Sequence, residues 1–128
     1  MHNPPMISGR RLVLLAAAAA LIGCGSTDDN RPAQWSVISS TIMQPACATV
    51  NCHSAVAQRA GVDLHDRASG YASLVTRNFT MPIDATGNSA LHHLLKGEGA
   101  LRMPPDGPLP QADIDLIDEW IAAGAPNN

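Results

Sequence analysis

Two cysteines separated by four residues, with a histidine directly after the second, constrain this chain more than any other feature. The segment reads Cys47-Ala48-Thr49-Val50-Asn51-Cys52-His53. Such a group can be a disulfide with a bystander histidine, part of a zinc site, an attachment point for haem, or a pair of free thiols. Zinc wants a fourth ligand, and no second cysteine pair is present to supply it. Covalent haem attachment needs this kind of layout. Each thiol adds to one vinyl group of the porphyrin, and the adjacent imidazole then lies under the iron as its proximal ligand. The usual spacing puts two residues between the cysteines, and four still serve if the loop bulges outward. On this segment alone, haem and a Cys47–Cys52 disulfide both stay open.

Composition sharpens the need for one or the other. The chain has 128 residues and four aromatic side chains: Trp35, Tyr71, Phe79 and Trp120. A small domain with so few large side chains buries little area, so a staple, a metal or a cofactor is expected. Eight basic residues face 11 acidic ones, for a net charge of −3. No basic footprint exists for nucleic acid. The length excludes a large multidomain enzyme and a polytopic membrane protein.

The N-terminus reads as an address. Arg10-Arg11 precede the apolar run Leu12 to Ile22, which is 11 residues long. A stable span needs about 20 apolar residues, so the run suits the core of a secretory signal instead. Leu21-Ile22-Gly23-Cys24 resembles the lipobox of bacterial lipoproteins. That resemblance implies a signal peptide over 1–23, cleavage before Cys24, and acylation of Cys24 that anchors the protein in a bilayer. Residues 24–34 then form a polar tether, and 35–128 form the folded domain.

The domain is expected to be all-α, with short helices and long loops. Trp35, Ile38 and Ile42 share a helical face, and Pro45 is expected to end that helix. Gly61 to Asp66 reads as a loop plugged by Leu64. Ser69 to Val75 suits a short helix that buries Tyr71, Leu74 and Val75. Asn88 or Ser89 can cap a helix carrying Leu91, Leu94 and Leu95, with Gly97 as its stop. Pro110 suits the first turn of a last helix whose stripe is Ile114, Ile117, Trp120 and Ile121. No stretch predicts a strand.

An electron-transfer haem wants a second axial ligand far along the chain, and a thioether raises its potential. Met103, in Leu101-Arg102-Met103-Pro104-Pro105, meets that need on a loop stiffened by proline. Met81, before Pro82, competes for the role. His92 and His93 are further candidates, but adjacent helical residues point about 100° apart, so at most one could face the iron. His65 lies in a polar loop and reads as surface.

From Ile42 to Ala125 the chain resembles the small cytochrome c-like domains of the planctomycete and myxobacterial type. The matching motifs are Gln44-Pro45, Cys47 to His53, Gly61-Val62-Asp63-Leu64, and Tyr71-Ala72-Ser73-Leu74-Val75. They continue with Asn88-Ser89-Ala90-Leu91, Met103-Pro104-Pro105 and Ile117-Asp118-Glu119-Trp120-Ile121-Ala122-Ala123-Gly124-Ala125. Ser54 stands where that family usually has glycine. Thr80 to Gly87 replaces a Val-x-Pro-Gly-Asp stretch, and Pro110 replaces a Ser or Thr cap. The resemblance implies one covalent haem c, first and last helices packed on each other, and iron between His53 and Met103.

The expected function is therefore a membrane-anchored monohaem c-type cytochrome. It would pass single electrons between redox partner proteins in the cell envelope, on the periplasmic or outer-membrane side. Leu64, Tyr71, Leu74, Leu91, Leu94, Ile117 and Trp120 are candidates for an apolar wall around the group. With both axial positions filled, the iron has no open site, which makes a carrier rather than an enzyme. Two alternatives stand. One is a haem-free surface lipoprotein stapled by a disulfide and acting as an interaction module. The other is a five-coordinate haem that senses ligands.

Overall fold

The computed structural model describes residues 29–99 and 101–128. The expected signal peptide and Cys24 lie outside the described residues. The fold is all-α, with no strand among the described residues beyond a single bridge between Pro82 and Ser89. Helix α1, Trp35–Ile38, runs without a break into a π-helical stretch, Ser39–Cys47. Helices α2 (Arg67–Thr76), α3 (Ala90–Lys96) and α4 (Gln111–Ala122) follow, joined by long irregular segments.

Pro45 does not end the first helix as its ring predicts; it sits inside the π-helical stretch. The preceding residues explain how. The Ser40 hydroxyl donates to Ser36 O at 2.9 Å, and the Thr41 hydroxyl to Val37 O at 2.8 Å. Such back-bonds compete for the carbonyls of the ordinary helical ladder and bend the helix. The wider turn also suits a residue with no N–H to place. The last bond of the stretch joins Ala48 N–H to Met43 O, five residues back, at 3.0 Å. The outcome carries the helix two residues past Pro45, so that Cys47 forms its end.

The other helix boundaries follow from side chains. Asp66 accepts the N–H groups of Ala68 and Ser69 and starts α2. Ser89 accepts from His92 N–H and starts α3, and Gly97 ends it with a φ of +71°, a conformation that favours glycine. Pro110 lies one position before α4 rather than in its first turn, in extended backbone.

The core joins the two ends of the domain. Trp35 and Trp120 stack with ring centroids 5.0 Å apart, and Tyr71 lies tilted against Trp35 at 6.0 Å and edge-on to Trp120 at 6.4 Å. Each ring also places its polar atom. Trp35 Nε1 donates to Arg67 O, Trp120 Nε1 to Pro126 O, and the Tyr71 hydroxyl to Ala125 O, all within 2.8–2.9 Å. Gly70 lets α2 approach, since a Cβ there would lie 3.0 Å from the Trp35 ring. Ile38, Ile42, Met43, Ile114 and Ile117 fill the space between α1 and α4. First and last helices therefore pack on each other.

The tether expected over 24–34 is pinned at its end. Arg31 reaches Asp113 of α4 at 2.5 Å and the Thr41 hydroxyl at 3.4 Å, and it pairs with Asp29. A guanidinium between two carboxylates is held where a polar segment alone would stay loose.

Candidate functional site

The Cys47–His53 segment leaves the end of the π-helical stretch and closes back on itself. His53 N–H donates to Cys47 O at 3.1 Å, and Leu64 N–H donates to His53 O at 2.8 Å. Cys52 N–H donates to Thr49 O, and Arg59 N–H to Cys52 O. The Ser54 hydroxyl reaches Val50 O at 3.2 Å, so the four-residue spacing forms a turned, hydrogen-bonded loop. Its apolar tip is in solvent: Val50 is 81% exposed.

The geometry that matters most is a single side-chain bond. His53 Nδ1 lies 3.2 Å from the carbonyl oxygen of Val62. A carbonyl only accepts, so Nδ1 donates to it, and Nε2 is the ring nitrogen left to bind a metal. Holding one ring nitrogen on a backbone oxygen is how proteins orient an imidazole that binds a metal through the other. The turn that delivers Val62 is strained. Gln58 and Ala60 both have positive φ, +39° and +54°, which costs non-glycine residues about 1 kcal/mol each. Gln58 Nε2 offsets part of that by donating to Ala55 O and Asp63 Oδ2. Val62 is buried, which fixes the carbonyl.

Cys47 and Cys52 are both free thiols, partly buried. Burial pushes the Cys47 thiol up to about 11, with the neighbouring Cys52 adding to the effect. Cys47 therefore stays protonated at neutral pH. Among the described residues no three His, Cys, Asp or Glu side chains converge as metal ligands.

Met103 lies on a separate loop. Its N–H donates to Leu94 O at 2.9 Å, it is half-buried, and Leu109 anchors the far end of the loop in the core. It makes no hydrogen bond to the Cys47–His53 segment. Met81 is 54% exposed on the segment before α3. Among the other histidines, His65 has both ring nitrogens on carboxylates, Asp63 and Asp66, at 2.7 Å each. His93 is likewise held between Asp84 and Glu98, and His92 Nδ1 lies 2.8 Å from Asp118. His65 is exposed, as expected.

Of the expected wall residues, Leu64, Leu74, Leu91, Ile117 and Trp120 are buried by the protein's own side chains, and Tyr71 and Leu94 are partly buried. The exposed apolar side chains are others: Val50, Val56, Met81, Ile83 and Leu101. The Val62 carbonyl has no signal in the sequence, because a backbone oxygen carries no residue identity. Ile83 and Leu101 had one, as apolar residues flanking the two methionines.

No protein-family model, no curated protein and no solved structure matches the chain. No helix among the described residues is long and apolar enough to cross a membrane.

Proposed function

We propose that the chain is a lipid-anchored monohaem c-type cytochrome that carries single electrons between protein partners outside the cytoplasm. The observation that carries this reading is His53, with Nδ1 committed to Val62 O and Nε2 without a protein partner among the described residues, on the same loop as two free thiols. The donor set fits the group. Cys47 and Cys52 would hold the porphyrin through thioether bonds, and His53 Nε2 and the Met103 sulfur would bind the iron. The bound haem supplies a one-electron couple.

The chain's own residues then do three things. The Val62 carbonyl orients the His53 ring through Nδ1. The main-chain bonds from His53 N–H to Cys47 O, from Leu64 N–H to His53 O and from Arg59 N–H to Cys52 O hold the loop in place. Exposed apolar residues at Met81, Ile83 and Leu101 provide surface for excluding water. Acylated Cys24 would tie the domain to the bilayer, so the partners are proteins of the cell envelope.

The test uses protein made in a host that attaches haem to cysteine pairs. After full denaturation, the polypeptide retains a haem-stained band in a gel. Cys47→Ala/Cys52→Ala abolishes that band, and Met103→Ala keeps it while losing the thioether-to-iron absorption. A colourless product whose two thiols appear only after reduction supports the disulfide-stapled lipoprotein instead. An unchanged spectrum in Met103→Ala supports the five-coordinate sensor. Cys24→Ser releases the protein from membranes if the lipobox reading holds.

A further inference from the structure

His93 is gripped at both ends of its ring. Nε2 lies 2.7 Å from Asp84 Oδ2, and Nδ1 lies 2.8 Å from Glu98 Oε2. An ionised carboxylate only accepts hydrogen bonds, so both ring nitrogens donate and the arrangement requires the imidazolium. The two carboxylates belong to different segments. Asp84 lies before α3, and Glu98 opens the loop that runs on to Met103.

Both partners are fixed in their own segments. Asp84 Oδ1 accepts from Thr86 N–H at 2.9 Å, Asn88 N–H at 3.0 Å and the Thr86 hydroxyl at 2.6 Å. Glu98 N–H donates to His93 O at 3.1 Å, and Met103 N–H donates to Leu94 O at 2.9 Å. One cation thus braces the two segments on either side of α3, and each segment carries a methionine. The other polar groups nearby are accounted for. The His92 ring stands edge-on at 5.6 Å, and its Nδ1 is taken by Asp118 of α4. Lys96 donates to Gln111 of α4, and Arg102 lies against Gly97.

We infer that His93 is a positioning residue for the Met103 loop: protonated, it braces Asp84 and Glu98, and on losing a proton it releases one of them and loosens the segment from Glu98 to Met103. The bond to Asp84 and then the bond to Glu98 hold the His93 proton above the ordinary value of 6.5, against some burial. A group raised in the folded state contributes stability in full below its ordinary value and loses it as pH rises through the raised one. The consequence at the iron rests on the cytochrome reading above; the brace does not.

Isotope-labelled haem-loaded protein tests this by amide exchange and absorption across a pH series. Protection of the Glu98 and Met103 amides is expected to be high below pH 6.5. It drops in a single step at higher pH, together with the methionine-to-iron band. In His93→Gln the same amides are weakly protected at all pH values and the step is gone. Glu98→Gln moves the step to lower pH. Wild-type protein with no step, or His93→Gln with an unchanged step, overturns the proposal. Absence of any haem band rejects the cytochrome reading, while the amide step still decides the brace. His65, paired with Asp63 and Asp66 at the start of α2, titrates on a different segment and serves as an internal reference.

Discussion

The two ends of the domain are finished to different degrees. Where α1, α2 and α4 meet, three aromatic rings interlock, every ring heteroatom has a partner, and Trp35 and Trp120 have no exposure at all. On the loop segments 48–58, 80–88 and 101–103 the opposite holds: Val56 is 93% exposed, Leu101 64% and Ile83 61%. Both regions come from one thin supply of large side chains, and the aromatic clasp takes three of the four aromatics. What remains for the second region is backbone hydrogen bonding, strained turns and ion pairs. That division suits a protein whose clasp provides stability while its loops present ligands.

Three substitutions test the contrast, from the largest effect to the smallest. Trp120→Ala is expected to cost about 3–5 kcal/mol, since it empties the centre of the clasp and orphans the Pro126 carbonyl. Urea denaturation measures it, and a loss below about 1.5 kcal/mol would mean the clasp is not the main source of stability. Asp66→Ala removes the cap of α2 and is expected to cost about 1 kcal/mol in the same assay. Ile83→Ser, on the exposed side, is expected to change the stability of haem-free protein by less than about 0.5 kcal/mol. The same change in haem-loaded protein should destabilise measurably if Ile83 covers the group, and an equal, negligible effect in both forms would remove Ile83 from that role.

Much of the clasp was legible in the sequence. Trp35, Ile38, Ile42, Ile114, Ile117 and Trp120 repeat at helical spacing, and an amphipathic stripe specifies both a helix and the face it buries. Ser89 and Gly97 marked the ends of α3 for the same local reason, because caps are written in single residues. The helix through Pro45 was not legible. It continues as a wider, π-helical turn, preceded by hydroxyl back-bonds from Ser40 and Thr41, and spacing does not reveal that change of turn. At the candidate site, the cysteines, His53 and Met103 were visible by type, but the bond that orients His53 goes to a main-chain oxygen nine residues on. The pairing of His93 with Asp84 and Glu98 was hidden as well, since it joins residues across the two ends of a short helix and leaves no periodic trace.

The central claim is that Cys47, Cys52 and His53 hold a haem whose iron also binds Met103. The absorption spectrum of the purified mature protein, recorded oxidised and then reduced, tests it most directly. The account predicts an intense Soret band in both states, sharp low-spin bands on reduction, and a weak thioether-to-iron band in the oxidised form. A spectrum with only the tryptophan and tyrosine absorption, from protein made in a host competent to attach haem, would contradict it.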